Sequence, residues 1–313
     1  MTISMSKGGD NTMVELRKHK LDDISENDIR EKMPEVLDIL LIDRTRSTTK
    51  KNQNIIWAND NYIQFGGKAY APEAQIKPEL VTGVMGSVIM PRALKTRELQ
   101  KERTKSKAEV FTPTWVVKKQ NDAVDKRYSA DDLETYINRT WLEITCGEAP
   151  YMVSRYDMDT GVEISLAERV GFIDRKLRRI SDEIDERDTW QSLVEAAYKS
   201  SFGFEWSGDS LLLARENLLY TYRDYFVHKW NEEPAIEHLK TIAKIISYNI
   251  FQMDGLKLIV PLSEIRVKVA QQEISLFDDP DDIHEEWITK PGKRVKVMNW
   301  SKNKMEFFDK GIA

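Results

Sequence analysis

Along the central part of the chain, apolar residues switch repeatedly between a helical spacing and short unbroken runs. Spacings of three and four residues predict helices over Asp131 to Thr140, Ile173 to Glu186, Trp190 to Ser200, Ser210 to Tyr222 and Pro234 to Ile245. Between them, the runs Trp141 to Thr145, Ser201 to Glu205 and Ile246 to Phe251 predict strands. Helices and strands in alternation predict an α/β fold, a largely parallel sheet covered by helices.

The flanks have a different pattern. Met1 to Asn11 is polar and glycine-containing, the composition of a frayed tail. Ser25-Glu-Asn-Asp28 has the spacing of a capping box and predicts a helix running toward Leu41, interrupted or restarted at Pro34. Asn54 to Ala58 and Val88 to Met90 predict two short strands. Residues 1–107 thus form an expected N-terminal α+β accessory region ending in a basic linker, and residues 108–313 the main domain. Beyond Leu256, Lys257 to Ile265 and Arg294 to Asn299 predict extra strands on either side of the acidic stretch Asp278 to Glu286.

Composition narrows the function classes. A chain of 313 residues, 41% hydrophobic, holds one or two ordinary cores. Its formal net charge of -5 argues against a generally basic nucleic-acid coat, while leaving room for a local basic face. One such face is offered by Arg92, Lys95, Arg97, Lys101, Arg103, Lys105 and Lys107, opposed only by Glu98 and Glu102. This stretch reads either as a solvated helix or linker, or as a segment contacting the phosphates of double-stranded DNA and releasing their counterions. No apolar run is long enough for a membrane helix, and Lys7, Gly8, Gly9 and Asp10 occupy the place of a signal-peptide core, so a cytoplasmic location without membrane attachment is expected. The single cysteine, Cys146, excludes an intramolecular disulfide and any multi-cysteine zinc site.

Chemistry concentrates at the ends of the predicted strands. Glu143-Ile-Thr-Cys-Gly147 closes the first strand, Glu205 and Trp206 the second, and Asp254 follows the third, while Phe111-Thr-Pro113 lies upstream of all of them. Taken in this order, the segments resemble the S-adenosylmethionine-binding half of adenine-specific DNA methyltransferases of bacterial restriction-modification systems. The resemblance covers roughly Glu109 to Leu256. It implies a Rossmann-like methyltransferase domain in which Phe111, Thr112 and Pro113 line the pocket, Glu143, Cys146 and Gly147 carry the methionine turn, Glu205 binds the ribose, Trp206 packs on the adenine and Asp254 reads its amine. Gly147 fits this role physically, since a bulky side chain there would block close backbone approach. The family's D/N/S-P-P-Y/F catalytic motif is absent from the sequence. The candidate substitute is Asn59-Asp60-Asn61-Tyr62, which follows a predicted strand with an amide, a carboxylate and an aromatic ring, the groups needed to hold and stack a flipped adenine.

The implied function is an adenine-specific DNA methyltransferase, or the cofactor-binding component of one completed by a restriction or specificity subunit. A catalytically inactive DNA-binding component of the same fold is the alternative. A third reading rests on Asp157, Asp159 and Val170-Gly-Phe-Ile-Asp174-Arg-Lys176, where a strand ending in acid-x-Lys would suit a metal-dependent nuclease with Asp159 and Asp174 as ligands. The same residues read equally as the start of a helix continuing through Asp185. Cys146 has no histidine in a related context and reads as a buried small residue.

Overall fold

The computed structural model describes residues 33–91, 112–157, 160–268 and 287–311. Helix α1 (Pro34–Leu41) opens on Pro34 itself, whose missing N–H costs nothing in the first turn. The capping box at Ser25 to Asp28 lies outside the described residues. One face of α1, Val36, Leu37, Leu40 and Leu41, is buried against the helix that precedes the last strand of the sheet.

Among the described residues, strands β1 (Trp141–Glu143), β2 (Ser201–Glu205) and β3 (Ile250–Gln252) form a parallel sheet whose spatial order is also the chain order. Trp141 stands opposite Ser201 and Glu143 opposite Gly203, while Gly203 pairs with Ile250 and Glu205 with Gln252. The fold is therefore mixed α/β, with a small parallel sheet flanked by helices as in a generic Rossmann-like core. The β1–β2 crossover carries α4 (Phe172–Glu183) and α5 (Arg187–Lys199); the β2–β3 crossover carries α6 (Gly208–Trp230) and α7 (Ile236–Asn249). Ahead of β1 come α2 (Thr114–Asp125) and the short α3 (Leu133–Asn138).

Local chemistry explains where these helices begin. Asp132 caps α3 by accepting the Thr135 N–H at 2.9 Å, and Glu186 caps α5 by accepting from Asp188 and Thr189 at 2.9 and 2.6 Å. In α4, Phe172, Ile173, Lys176, Leu177 and Ile180 form one buried stripe at helical spacing. This segment is a helix, so no strand carries acid-x-Lys at Asp174 to Lys176. Helix α6 is much longer than its predicted Ser210 to Tyr222, because it is buried along nearly its whole length and tertiary packing, not one amphipathic stripe, sustains it. The third strand is shorter than predicted. Ile246 and Ser247 belong to the buried face of α7, which continues through Asn249.

Side chains alternate across the sheet. Ser201 and Gly203 face the helices, with the Ser201 hydroxyl donating to the Ala197 carbonyl at 2.7 Å and Gly203 leaving room for Met152 and Cys146. Phe202 and Phe204 face the opposite way and pack with Phe251, Met253, Val260, Val295 and Val297. That second layer ends in the antiparallel hairpin β6 (Lys296–Asn299) and β7 (Lys304–Phe307), and a separate ribbon pairs β4 (Ile265–Lys268) with β5 (Trp287–Lys290). Within Lys257 to Ile265 only Ile265 belongs to a strand, the rest being turns, irregular backbone and the isolated bridges at Ile259, and Val88 to Met90 forms no strand.

The predicted strand at Asn54 to Ala58 is reduced to isolated bridges at Asn54 and Ile56. A side chain supplies the pairing a strand would have provided. Gln252 of β3 accepts the Ile56 N–H at 3.0 Å and donates to the Ile56 carbonyl at 2.8 Å and to the Trp206 carbonyl at 2.8 Å. The same stretch crosses Gly208 so closely that a Cβ there would lie 2.0 Å from the Ile56 carbonyl oxygen. Residues 33–91 thus share one hydrophobic core with the sheet-bearing part of the chain.

At the centre of that core, Arg215 of α6 is fully buried. Its guanidinium donates to Ile250 O at 2.6 and 2.8 Å, to Ile42 O at 3.0 Å, to Ser247 O at 3.3 Å and to Leu40 O. These carbonyls close the last turns of α1 and α7, so one cation satisfies two helix C-termini at once. Burial lowers the Arg215 pKa to about 9, offset in part by the nearby Asp43 carboxylate. Replacement by leucine leaves several buried acceptors unpaired and is expected to lower stability by at least about 3 kcal/mol, as each orphaned group costs roughly 1–3 kcal/mol. Urea unfolding of Arg215→Leu and Arg215→Lys checks this: lysine, lacking the planar fork, is expected to recover only a small part of the loss.

Candidate functional site

The carboxyl ends of β1, β2 and β3 lie side by side, where open α/β sheets place ligands. From β1 the chain enters a tight turn in which Thr145, Gly147 and Ala149 have φ of 47°, 53° and 63°. Left-handed backbone is unusual for a β-branched residue, and the turn's N–H groups go to separate acceptors, Cys146 N donating to the Phe204 carbonyl at 2.8 Å and Ala149 N to the Cys146 carbonyl at 2.7 Å. The acceptor of the Gly147 N–H is Glu205. Its Oε2 accepts the Gly147 N–H at 2.9 Å, and its Oε1 accepts from Trp206 at 2.9 Å and Ser207 at 3.1 Å. A Cβ added to Gly147 would meet nothing within 4 Å, so this residue borders open space.

Glu143 lies beneath the turn. Its carboxylate accepts the Tyr151 N–H at 3.2 Å and the Met152 N–H at 2.9 Å, and it is buried. Burial pushes its pKa up to about 8 against the pull of these two donors, with the Glu205 carboxylate adding to the rise. Glu205 is shifted the same way by burial, opposed by its three backbone donors. Cys146, wedged beside Gly203, is buried, and burial together with the two glutamates holds its thiol well above its ordinary pKa. This is the environment of a packed sulfur, not of an activated nucleophile.

The structure brings Trp206 and the Asn59 cluster to this same end. The Trp206 indole donates to the Ala58 carbonyl at 2.7 Å. Next to it, Asn59 Nδ2 and the Tyr62 hydroxyl both donate to the Asp209 carboxylate, at 3.0 and 2.6 Å. Tyr62 is buried and its ring lies against Trp57, with centroids 4.6 Å apart. Asp209, in the first turn of α6, and Gln252 are the residues that sequence reasoning missed here. The only signals were an acidic residue near a helix start and an amide in an otherwise apolar strand.

Asp254 also reaches this edge, but its Oδ1 accepts the N–H groups of Leu256 and Lys257 at 2.9 and 3.1 Å. It therefore closes its own turn. Thr112 and Pro113 lead into α2, with Pro113 at its N-cap, and no described hydrogen bond or ring contact joins them to Gly147, Glu205 or Asp254. Phe111 lies outside the described residues, as do Arg92, Lys95, Arg97, Lys101, Arg103, Lys105, Lys107 and Asp159.

Asp174 and Lys176 do not converge. The Asp174 carboxylate accepts from Ser154 N at 2.9 Å and Gly171 N at 3.2 Å, whereas Lys176 Nζ donates to Arg139 O at 2.8 Å and Ser200 Oγ at 2.7 Å, at the amino end of the sheet. Both side chains are fully buried and bonded to their own fold.

No family model, curated protein or solved structure matches the chain.

The buried acids set a pH dependence. Below a pH of about 4.5 Glu143 is protonated in both folded and unfolded chains; above it the unfolded chain ionises first, and the folded chain only through a pKa of about 8. Stability is therefore expected to fall as pH rises between these values. Thermal melts of the native chain and Glu143→Gln across that window check it, the variant being expected to show a shallower decline.

Proposed function

We propose that the chain binds S-adenosylmethionine at the carboxyl ends of β1 to β3, as an adenine-specific DNA methyltransferase or the cofactor-binding component of one, in a restriction-modification system. The observation that carries this reading is the Gly147–Glu205 bond, which joins the glycine turn of one strand to the terminal acid of the next. Glu205 would hold the ribose hydroxyls, Cys146 and Gly147 the methionine backbone, and Trp206 the adenine ring. Burial holds the pKa of Glu143 and Glu205 up, so a positively charged ligand beside them would favour their ionised forms; the sulfonium and ammonium of adenosylmethionine would supply that charge.

A catalytically inactive component of the same fold is the second reading. It is favoured by Asp209, which already accepts from Asn59 and Tyr62, the groups that would have to hold the target amine. Preorganised acceptors around the reacting group supply much of a transferase's rate, so methylation of adenine by the isolated chain is expected to be very weak or absent.

Calorimetric titration with adenosylmethionine and its demethylated product tests the cofactor assignment. Glu205→Ala is expected to weaken binding by about 1.5–3 kcal/mol, the range for losing charge-assisted hydrogen bonds. Glu205→Gln, which keeps the acceptor shared by Trp206 and Ser207, serves as the folding control. Absence of heat for either ligand with the folded native chain, at several temperatures, removes the reading.

DNA is the proposed macromolecular partner, held by the basic stretch from Arg92 to Lys107. Charge reversal at Lys101, Arg103 and Lys105 is expected to flatten the dependence of DNA affinity on salt, by roughly 0.9 in log-log slope for each lost phosphate contact. An unchanged slope would assign these side chains to solvent.

A further inference from the structure

The stretch from Trp287 to Gly311 holds seven basic side chains against two acidic ones, in a chain whose formal net charge is -5. Both carboxylates are taken. Asp309 pairs with Arg294, and Glu306 accepts from Asn299 at 3.0 Å and from Lys302 at 3.2 Å. Lys296, Lys304 and Lys310 form no ion pair with any described carboxylate. The hairpin of β6 and β7 sets these lysines around a groove of about 460 Å³, walled by Lys296, Lys302, Lys304, Lys310 and Phe307, with Glu306 its one acid among the described residues. Lys296 stands opposite Phe307 in the register, and its ammonium lies 5.1 Å from the centre of that ring. An aromatic face steadies an ammonium without cancelling its charge. The hairpin is anchored to the body of the fold. The Thr45 hydroxyl donates to the Lys296 carbonyl at 3.1 Å and accepts the Lys296 N–H at 3.2 Å, the Trp300 indole donates to Asn249 Oδ1 at 2.9 Å, and the Phe308 ring packs against Phe204 and Phe251.

We propose that this groove is a sequence-independent contact for the phosphate backbone of double-stranded DNA. Like charges gathered in a concavity focus a positive field, and phosphates entering it release their condensed counterions. The cations that wall the groove are all lysines, which meet phosphates as compact point charges and lack the planar fork that reads a guanine edge. Contact without base readout follows. Four ammonium groups spread around one groove suit a succession of phosphates, whereas a single phosphate calls for donors converging on one point. Single-stranded binders rely on aromatic rings offered to the bases, and Phe307 is already engaged, with the Arg294 guanidinium 4.0 Å from its centre as well as the Lys296 ammonium. A membrane surface would meet a convex face, and this one is concave. The inference rests on DNA as the partner and on neither adenosylmethionine nor the stretch from Arg92 to Lys107. The chain's own acidic stretch, Asp278 to Glu286, is the competing occupant.

Fluorescence anisotropy of the full chain with labelled duplexes of several unrelated sequences, across a range of salt concentrations, tests this. The duplexes are expected to bind alike. Lys296→Gln, Lys304→Gln and Lys310→Gln together are expected to lower affinity at least about tenfold and to flatten the salt dependence by roughly 0.9 in log-log slope for each lost contact. The same three positions changed to arginine are expected to retain both affinity and slope. Melting of both triple variants is expected to match that of the native chain, since none of the three lysines is buried. The inference is overturned if the native chain binds no duplex, if the arginine variant loses as much as the glutamine variant, or if the glutamine variant keeps its affinity and slope. In the last case, loss of binding on charge reversal at Lys101, Arg103 and Lys105 would keep DNA as the partner and place it on that stretch alone. Binding that appears only when Asp278, Asp279, Asp281 and Asp282 are all changed to asparagine also overturns it, giving the lysines to the chain's own acids. So does binding to vesicles of anionic phospholipid in place of duplexes.

Discussion

Two helices in this fold end against the same buried cation. A helix C-terminus leaves carbonyl groups without partners, and burying one such end is costly; burying two within a few ångströms of each other would ordinarily be prohibitive. Arg215 makes it possible, because a planar guanidinium presents several donors in one fork and satisfies the ends of α1 and α7 together. The relation of the N-terminal region to the sheet follows from this. With Leu40 and Ile42 fixed beside Ile250, the chain leaving α1 loops through residues 43–53 and returns beside it, the Ile55 N–H donating to the Leu41 carbonyl at 2.9 Å, and Gln252 receives Ile56. The segment carrying Asn59 and Tyr62 is thereby delivered to the strand ends, although it is far from them in sequence.

The strand ends themselves are organised around carboxylates that serve backbone donors. Glu143 and Glu205 each bridge turns that would otherwise have unsatisfied N–H groups, and Asp254 does the same within its own loop. A ligand entering here would not meet idle acceptors. It would share or displace bonds that hold the turn, so binding and the local order of the Thr145 to Ala149 turn are coupled. The left-handed conformations of Thr145 and Ala149 belong to the same arrangement, since backbone of that kind persists only when its surroundings over-determine it.

The sheet and its helices were legible in the sequence because their signals are local. Apolar runs at Trp141 and Ser201, periodic stripes such as Phe172 to Ile180, and the order of glycine and acidic residues after the strands all reach no farther than a turn or two. The site was legible to the level of which strand ends carry polar groups. What each group bonds to was not, because the partners come from distant segments: Tyr62 with Asp209, Gln252 with Ile56, Arg215 with Leu40. The strand expected at Asn54 to Ala58 shows the difference clearly. Its apolar pattern reports burial correctly, but the pairing that would have made it a strand is supplied by a glutamine side chain, which periodicity cannot reveal. The length of α6 escaped for a related reason, as a helix buried on all sides has no polar face to mark its register.

Cys146 gives the turn a property of a different kind. It is the chain's single cysteine, and it sits beneath the Thr145 to Ala149 turn, shielded by Met152 and the backbone at Gly203. A thiol so placed reacts with a solvent-borne reagent only when the turn lifts away. Its labelling rate under native conditions is therefore a clock for that opening, in a molecule with no second thiol to confuse the reading. Ligands that brace the turn would slow the clock, and ligands that act elsewhere would leave it running at its own pace.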